Sequence, residues 1–379
     1  MKLVILQEDL NKALVTVSRS VSSKSSLPIL ANILLETEEG RLKLSATNLE
    51  VGINYWLGVK IDNEGSITIP ARIVNELIAS LPAAKIELET KESTLFLSTN
   101  NFKINVAGLD SAEFPKVPFF PKNPLAVFGK EDLIKGLSQV VIAAAQDEGR
   151  PVLTGVLFTS RIEGLTMVAT DGYRLSLKKI SAQEIDKSVE KLIIPGKTLQ
   201  EVVRIAQETA DNKGGSITIK LGLTTEKSQA VFSFPNIDFS TRLIEGEFPD
   251  YQKIIPQSST TKVIFGKEEF LRAIKTASII AREQANIVKL VIDPVGSSGK
   301  MTITAETAQV GANESEIEAK TEGEKLEIAF NYRFLLDFLN VVEGDEIIFE
   351  AGGPLAPGVF KPTGDDSFLH IIMPVRIQG

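Results

Sequence analysis

The chain has 379 residues, 43% of them hydrophobic and 24% charged, enough for about two or three ordinary cores. It has no cysteine and one histidine, which excludes disulfides, thiolate or multi-histidine metal sites and a cysteine nucleophile. A net charge of −8 argues against a protein that grips nucleic acid through one large basic face, but leaves room for a basic surface inside an acidic assembly.

Lys2 to Leu6 reads as a short apolar strand, and Glu8-Asp9-Leu10-Asn11-Lys12-Ala13-Leu14 as the start of a helix. Leu10, Leu14, Val17 and Val21 form its stripe, with the 3.6-residue period of an amphipathic helix. Alternation in Arg41-Leu42-Lys43-Leu44-Ser45 predicts a strand with one face buried. Ile67 to Pro70 is a further strand, leading into a helix over Arg72 to Leu81, and a Pro-rich boundary follows at 114–121.

The order then begins again. Leu125 to Phe128 precedes Glu131-Asp132-Leu133-Ile134-Lys135-Gly136-Leu137, with a stripe of Leu133, Leu137, Val140, Val141 and Ala144. Leu192 to Pro195 leads into a helix over Lys197 to Gln207, and Ser216 to Leu221 alternates as a strand. After a second Pro-rich stretch, Phe248 to Pro256, Thr261 to Phe265 precedes Glu268-Glu269-Phe270-Leu271-Arg272-Ala273-Ile274, whose stripe is Phe270, Ile274, Ala277 and Ile280. Leu326 to Ala329 leads into a helix over Tyr332 to Val342. His370 alternates within a terminal strand, Phe368 to Ile372, and is read as partly exposed.

The helix phrase thus recurs at residues 8, 131 and 268, spacings of whole domains rather than of a solenoid. The register holds elsewhere: Leu27-Pro28-Ile29-Leu30 with Arg150-Pro151-Val152-Leu153, and Ser45-Ala46-Thr47-Asn48 with Val168-Ala169-Thr170-Asp171. The expected fold class is α+β: three similar domains, 1–121, 122–256 and 257–379, each with two helices packed on antiparallel sheets of roughly eight strands. The start reaches acidic residues too early for a signal peptide, and no apolar run approaches the ~20 residues of a membrane span, so a soluble cytoplasmic protein is expected.

Chemistry is thin. No phosphate-binding glycine loop occurs, the carboxylates are scattered over helix starts and turns, and no catalytic residue, metal or cofactor is expected. The one chemical-looking phrase is Ala169-Thr170-Asp171-Gly172-Tyr173-Arg174-Leu175, where Asp-Gly signals a tight turn between strands. Asp171 has no base, metal or second carboxylate at readable spacing, so a turn or a groove wall is favoured over an active site.

Leu27-Pro28-Ile29-Leu30, the Ala169 to Leu175 phrase, Phe248-Pro249-Asp250-Tyr251 and Met373-Pro374-Val375-Arg376-Ile377, in this order on a triplicated chain, resemble the bacterial DNA polymerase III beta subunit, the sliding-clamp family. The resemblance covers essentially the whole chain. It implies a DNA clamp fold and a head-to-tail homodimer closing into a ring of six domains around duplex DNA. The ring is a processivity factor, not an enzyme: it tethers the replicative polymerase, the clamp loader and repair proteins through short linear peptides. DNA would be held topologically and without sequence preference, through weak phosphate contacts that permit sliding.

The resemblance also places sites. Lys24, Arg72, Arg150, Lys197 and Arg204 are the expected DNA contacts, with Lys12, Lys135, Arg272, Lys275 and Arg333 as further cations on the lining helices. Each helix cation is equally an ordinary solvated residue when taken alone. Gly149, Pro151 and Val152 stand where some relatives have aromatics, which argues against base stacking at that loop. The partner-peptide groove is expected at Leu153, Thr170, Gly172, Tyr173, Arg174, Leu175, Pro249, Lys253, Ile254, Phe334, Met373, Pro374 and Val375. Thr170 and Arg174 are its polar orienters, while Tyr173 replaces a histidine and Val375 a methionine common in relatives. Gln378 and Gly379 extend past the usual end. The dimer contact is expected between Ile279 and Ile280 of one copy and Phe102 and Leu109 of the other, though apolar residues there are equally core candidates. The alternative from another class is a three-domain scaffold for proteins or glycans that does not encircle DNA.

Overall fold

The structure is a computed structural model, and it describes all residues except 23–26, 162–163, 187–190, 210–215, 284, 295–298 and 377–379. The described residues form six α-helices, two in each sequence copy: α1 (Gln7–Ser18), α2 (Ala71–Ser80), α3 (Lys130–Val141), α4 (Gly196–Glu208), α5 (Lys267–Ala281) and α6 (Tyr332–Val341). The chain divides into two compact units. One comprises residues 1–130, 183–186 and 204–243, the other 131–182, 187–203 and 244–379.

The first unit holds a five-stranded sheet, bounded by strands Lys60–Asn63 and Lys103–Ala107, and a nine-stranded one. In the nine-stranded sheet, strand Ile237–Arg242 of the second copy pairs antiparallel with Val51–Gly58 of the first. The second unit holds a twelve-stranded sheet, in which Arg174–Ser181 of the second copy pairs antiparallel with Phe368–Ile372 of the third. The two seams are one device used twice. Val51 opposite Thr241 and Tyr55 opposite Ile237 correspond to Arg174 opposite Ile372 and Lys178 opposite Phe368, because residues 51 and 174 occupy the same place in successive copies.

A second repeated device ties the helices within each copy. The first residue of each leading helix donates its side chain to a carbonyl at the end of the second helix. Gln7 Nε2 reaches Ile78 O at 2.7 Å, Lys130 Nζ reaches Thr209 O at 2.9 Å, and Lys267 Nζ reaches Val342 O at 2.7 Å. These carbonyls lie where a helix runs out of its own amide donors and where its dipole is negative. Residues 7, 130 and 267 each precede the repeated acidic position by one, so the sequence repeat carries the cap with it.

The helical stripes bury as their periodicity predicts: Leu10, Leu14 and Val17 on α1, Leu133, Leu137 and Val140 on α3, and Phe270, Ile274 and Ala277 on α5. The last residue of each stripe buries less: Val21, Ala144 and Ile280 are only partly buried. Helix α1 ends at Ser18, with Arg19 as its C-cap, so Val21 leaves the stripe and stays partly exposed. The core of the third copy is aromatic. Phe330, Phe338, Phe349, Phe360 and Phe368 are all buried, in tilted, edge-on and stacked contacts with centroids 4.8–6.0 Å apart.

His370 departs from expectation. It is buried, not partly exposed, because its strand is paired on both sides and covered by α6. Its ring stacks on Phe338 at 5.3 Å, and Nδ1 lies 2.7 Å from Ser176 Oγ. Burial, helped by the nearby Arg174 charge, lowers its pKa from 6.5 to about 3.

Candidate functional site

The hairpin turn after strand Gly164–Thr170 is locked from within. Thr170 Oγ1 donates to Arg174 O at 2.7 Å and accepts from Gly172 N at 3.1 Å. Asp171 Oδ1 accepts from the amides of Tyr173 and Arg174, at 2.9 and 3.0 Å. Gly172 has φ +92°, which a side chain would strain. The fold of the turn follows from its sequence: a short acceptor at position 171, then a glycine, which takes positive φ without strain.

Arg174 carries this turn to α6. Its Nε lies 3.0 Å from Asp171 Oδ2 and its Nη1 2.5 Å from Asp337 Oδ2, while the guanidinium carbon sits 4.4 Å from the Phe334 ring centroid. Only 9% of Arg174 is exposed. The polar groups of Thr170 and Arg174 are therefore engaged within the protein and hold the walls in place. Asp171 is a turn former and ion-pair partner, which accounts for it without catalysis.

The C-terminal tail completes the arrangement. Met373 N donates to Tyr173 O at 2.8 Å, and Val375 N donates to Ala329 O at 2.8 Å, so the tail runs from the turn to the third copy. Leu175, Leu157 and Ile371 belong to one buried apolar cluster, against which Ile254 and Phe248 pack partly buried. Leu153 is buried as well, Phe334, Pro374 and Val375 are partly buried, and Gly172 and Pro249 are exposed. Tyr173, at 64%, and Met373, at 38%, are exposed large apolar side chains. Lys253 is exposed and pairs with Asp250 at 3.1 Å. Gln378 and Gly379 lie outside the described residues.

The cations divide into two groups. Arg72, Arg150, Lys197 and Arg204 are exposed; Arg72 faces Glu76 at 3.9 Å and Lys197 faces Glu148 at 3.6 Å. Lys24 lies outside the described residues. Lys12 and Lys135 instead turn to helix ends: Lys12 Nζ is 3.4 Å from Glu208 O, and Lys135 Nζ is 2.7 Å from Glu343 Oε2. The hydrogen bond to Glu343 raises the pKa of Lys135.

Of the residues expected at a dimer contact, Phe102, Leu109 and Ile279 are exposed, whereas Ile280 packs partly against the core of the third copy. Asp337, which no motif singled out, is the partner that sequence reasoning missed. Its place three residues after Phe334 on α6 was the available signal, since that spacing puts both on one helix face.

Three-copy α+β architecture with paired inter-copy seams defines the clamp class of DNA-replication proteins. The DNA polymerase III beta subunit models match in chain order: the N-terminal domain over residues 1–118, the central domain over 128–250 and the C-terminal domain over 252–376. The beta sliding clamp of Bacillus subtilis is 31% identical, over 99% of this chain and 100% of its own. That of Synechococcus elongatus is 28% identical over the whole of both. The crystal structure of the Bacillus subtilis DNA polymerase sliding clamp aligns with a TM-score of 0.92 at 30% identity, covering 100% of each chain. The DNA polymerase III subunit beta of Pseudomonas aeruginosa aligns at 0.89 and 27%, again covering both chains fully. The chain belongs to the DNA polymerase III beta subunit family. The scaffold alternative finds no support in these relatives. Among the described residues, no helix is long and apolar enough to cross a membrane.

Proposed function

We propose that the chain works as the processivity factor of DNA polymerase III: a non-catalytic accessory subunit that acts as a head-to-tail homodimer encircling duplex DNA. Its three domains divide at 1–121, 122–256 and 257–379, and it works in the cytoplasm. DNA is retained by closure of the ring. Arg72, Arg150, Lys197, Arg204 and Lys24 supply weak phosphate contacts, consistent with the exposure of the first four. Phe102 and Leu109 of one copy meet Ile279 and Ile280 of the other.

Clamp loader, polymerase and repair proteins dock as short peptides between the Thr170–Leu175 turn, the Pro249–Ile254 segment, Phe334 and the Met373–Val375 tail, over a floor that includes Leu153. The observation that carries this reading is the hydrogen bond from Met373 N to Tyr173 O. It joins the Asp-Gly turn of the second copy to the Met373–Val375 segment of the third, and Tyr173 and Met373 are exposed while Leu153 and Leu175 are buried. An extended peptide with apolar anchors suits such a slot, because polar groups already satisfied within the protein leave apolar contact as the main gain.

Calorimetry with a peptide from a clamp-loader subunit tests the groove. Removing Met373 to Gly379 should abolish binding, and full retained affinity would refute the site. Retention on circular DNA after loading, with loss once the circle is cut, tests the ring.

A further inference from the structure

Helices α1, α3 and α5 begin with the same phrase, so residues 12, 135 and 272 are equivalent, as are 16, 139 and 276, and 19, 142 and 279. Within each set, positions 0, 4 and 7 fall on one helix face. Twice within the chain this face is spent on the end of the next copy's second helix. From α1, Lys12 Nζ reaches Glu208 O and Arg19 Nη2 reaches Glu208 Oε1 at 2.6 Å, at the last residue of α4. From α3, Lys135 pairs with Glu343 and Gln139 Nε2 donates to Val341 O at 3.3 Å, at the end of α6. The third face, Arg272, Thr276 and Ile279 on α5, meets no such helix end among the described residues. Arg272 and Ile279 are exposed there, and among the described residues the Arg272 guanidinium has no hydrogen-bond or ion-pair partner.

The geometry points to Arg272 as a charged latch of the closed ring, donating to the carbonyl end of α2 in a second copy of this chain. This rests on the ring reading above and assigns a residue to its closing contact. Among the described residues, the end of α2 is reached by no such face, and its last residue, Ser80, is exposed. The match is electrostatic as well as positional. A cation at a helix C-terminus is favoured by the dipole and the unpaired carbonyls; of the equivalent cations, Lys12 reaches the Glu208 carbonyl and Lys135 the Glu343 carboxylate just past the end of α6. The α2 end lacks the carboxylate that α4 and α6 provide through Glu208 and Glu343, so this contact is made to carbonyl oxygens alone. Arg272 therefore serves assembly, in contrast to the DNA-facing role its exposed position on a lining helix first suggested.

Sedimentation equilibrium of the full chain tests the latch. A head-to-tail dimer has two identical contacts, so each substitution acts twice. Arg272→Ala should raise the dimer dissociation constant roughly fivefold to thirtyfold, and Arg272→Glu more, with the difference shrinking as salt is added. Ser80→Glu, which copies the carboxylate of the other two junctions, should tighten the native dimer and leave the Arg272→Ala dimer unchanged. Ile279→Lys probes the ring contact independently. If Ile279→Lys dissociates the dimer while Arg272→Glu leaves it intact, the latch is wrong and the ring reading survives. If neither changes assembly, or the native chain is monomeric, both fail.

Discussion

Arg174 and Asp337 meet at 2.5 Å, bonding the turn of the second copy to helix α6 of the third. With Asp171 on its other side and Phe334 beneath it, the guanidinium is a rivet through the wall of the proposed groove. Its geometry matters more than its charge, because the guanidinium fork satisfies two carboxylates at once.

Asp337→Asn should loosen that wall. Asp337 is 43% exposed and Arg174 keeps Asp171, so the cost is discounted well below that of a fully buried pair, to about 1 kcal/mol. Peptide affinity, read by calorimetry, should fall several-fold while the thermal midpoint moves by only a few degrees. Arg174→Lys should weaken binding more, since an ammonium cannot replace the fork. Unchanged affinity in both variants would show that the pair does not shape the groove.

Gly172→Ala probes the turn. A Cβ there would meet only Arg150 Nη1, at 3.6 Å, so crowding is not the problem. The positive φ is, and forcing a non-glycine residue into it costs about 1–2 kcal/mol. Chemical denaturation should register the loss, and a neutral result would mean that the turn relaxes freely.

Acid should act through His370 before it acts through Asp365. The folded pKa of His370 is about 3 against an ordinary 6.5, so the unfolded chain binds its proton first. Its neutral burial is compatible with full stability above pH 6.5, and stability falls as pH drops from there towards 3. Burial alone would raise Asp365, but hydrogen bonds from Ser367 and Lys178 outweigh it and hold the group at about 2, below its ordinary 3.8. Its contribution is present above pH 3.8 and is lost as pH falls through 2. Denaturant midpoints across pH 7 to 4 should decline in the native chain and flatten in His370→Asn; parallel curves would exclude His370 as the source.

Charge reversal tests the DNA face. Lys24, Lys197 and Arg204 changed together to glutamate should reduce retention on DNA with the dimer intact. The slope of log affinity against log salt should become shallower by about 0.9 for each phosphate contact removed. Native retention and slope in the triple variant would remove these residues from the DNA surface.

The helices, the alternating strands and the Asp-Gly turn were legible because their causes are local: a 3.6-residue or two-residue period, and a glycine that permits positive φ. The proposed groove was legible only in part. Leu175 and Met373 could be named, but the meeting of residues 173 and 373, and of 174 and 337, depends on chain segments 200 and 163 residues apart coming together across a seam. His370 was misjudged for the same reason, since period-two alternation reports one face of a strand and not whether a helix covers the other.

By itself, the amino-acid sequence determined that this protein is one unit written three times, with a cation at positions 12, 135 and 272 and a cap donor at 7, 130 and 267. Tertiary structure decided what those repeats hold. Lys12 and Lys135 became ties to helix ends and Arg272 was left open, because hydrogen-bond geometry, unlike hydrophobic periodicity, depends on a partner that the local chain does not contain.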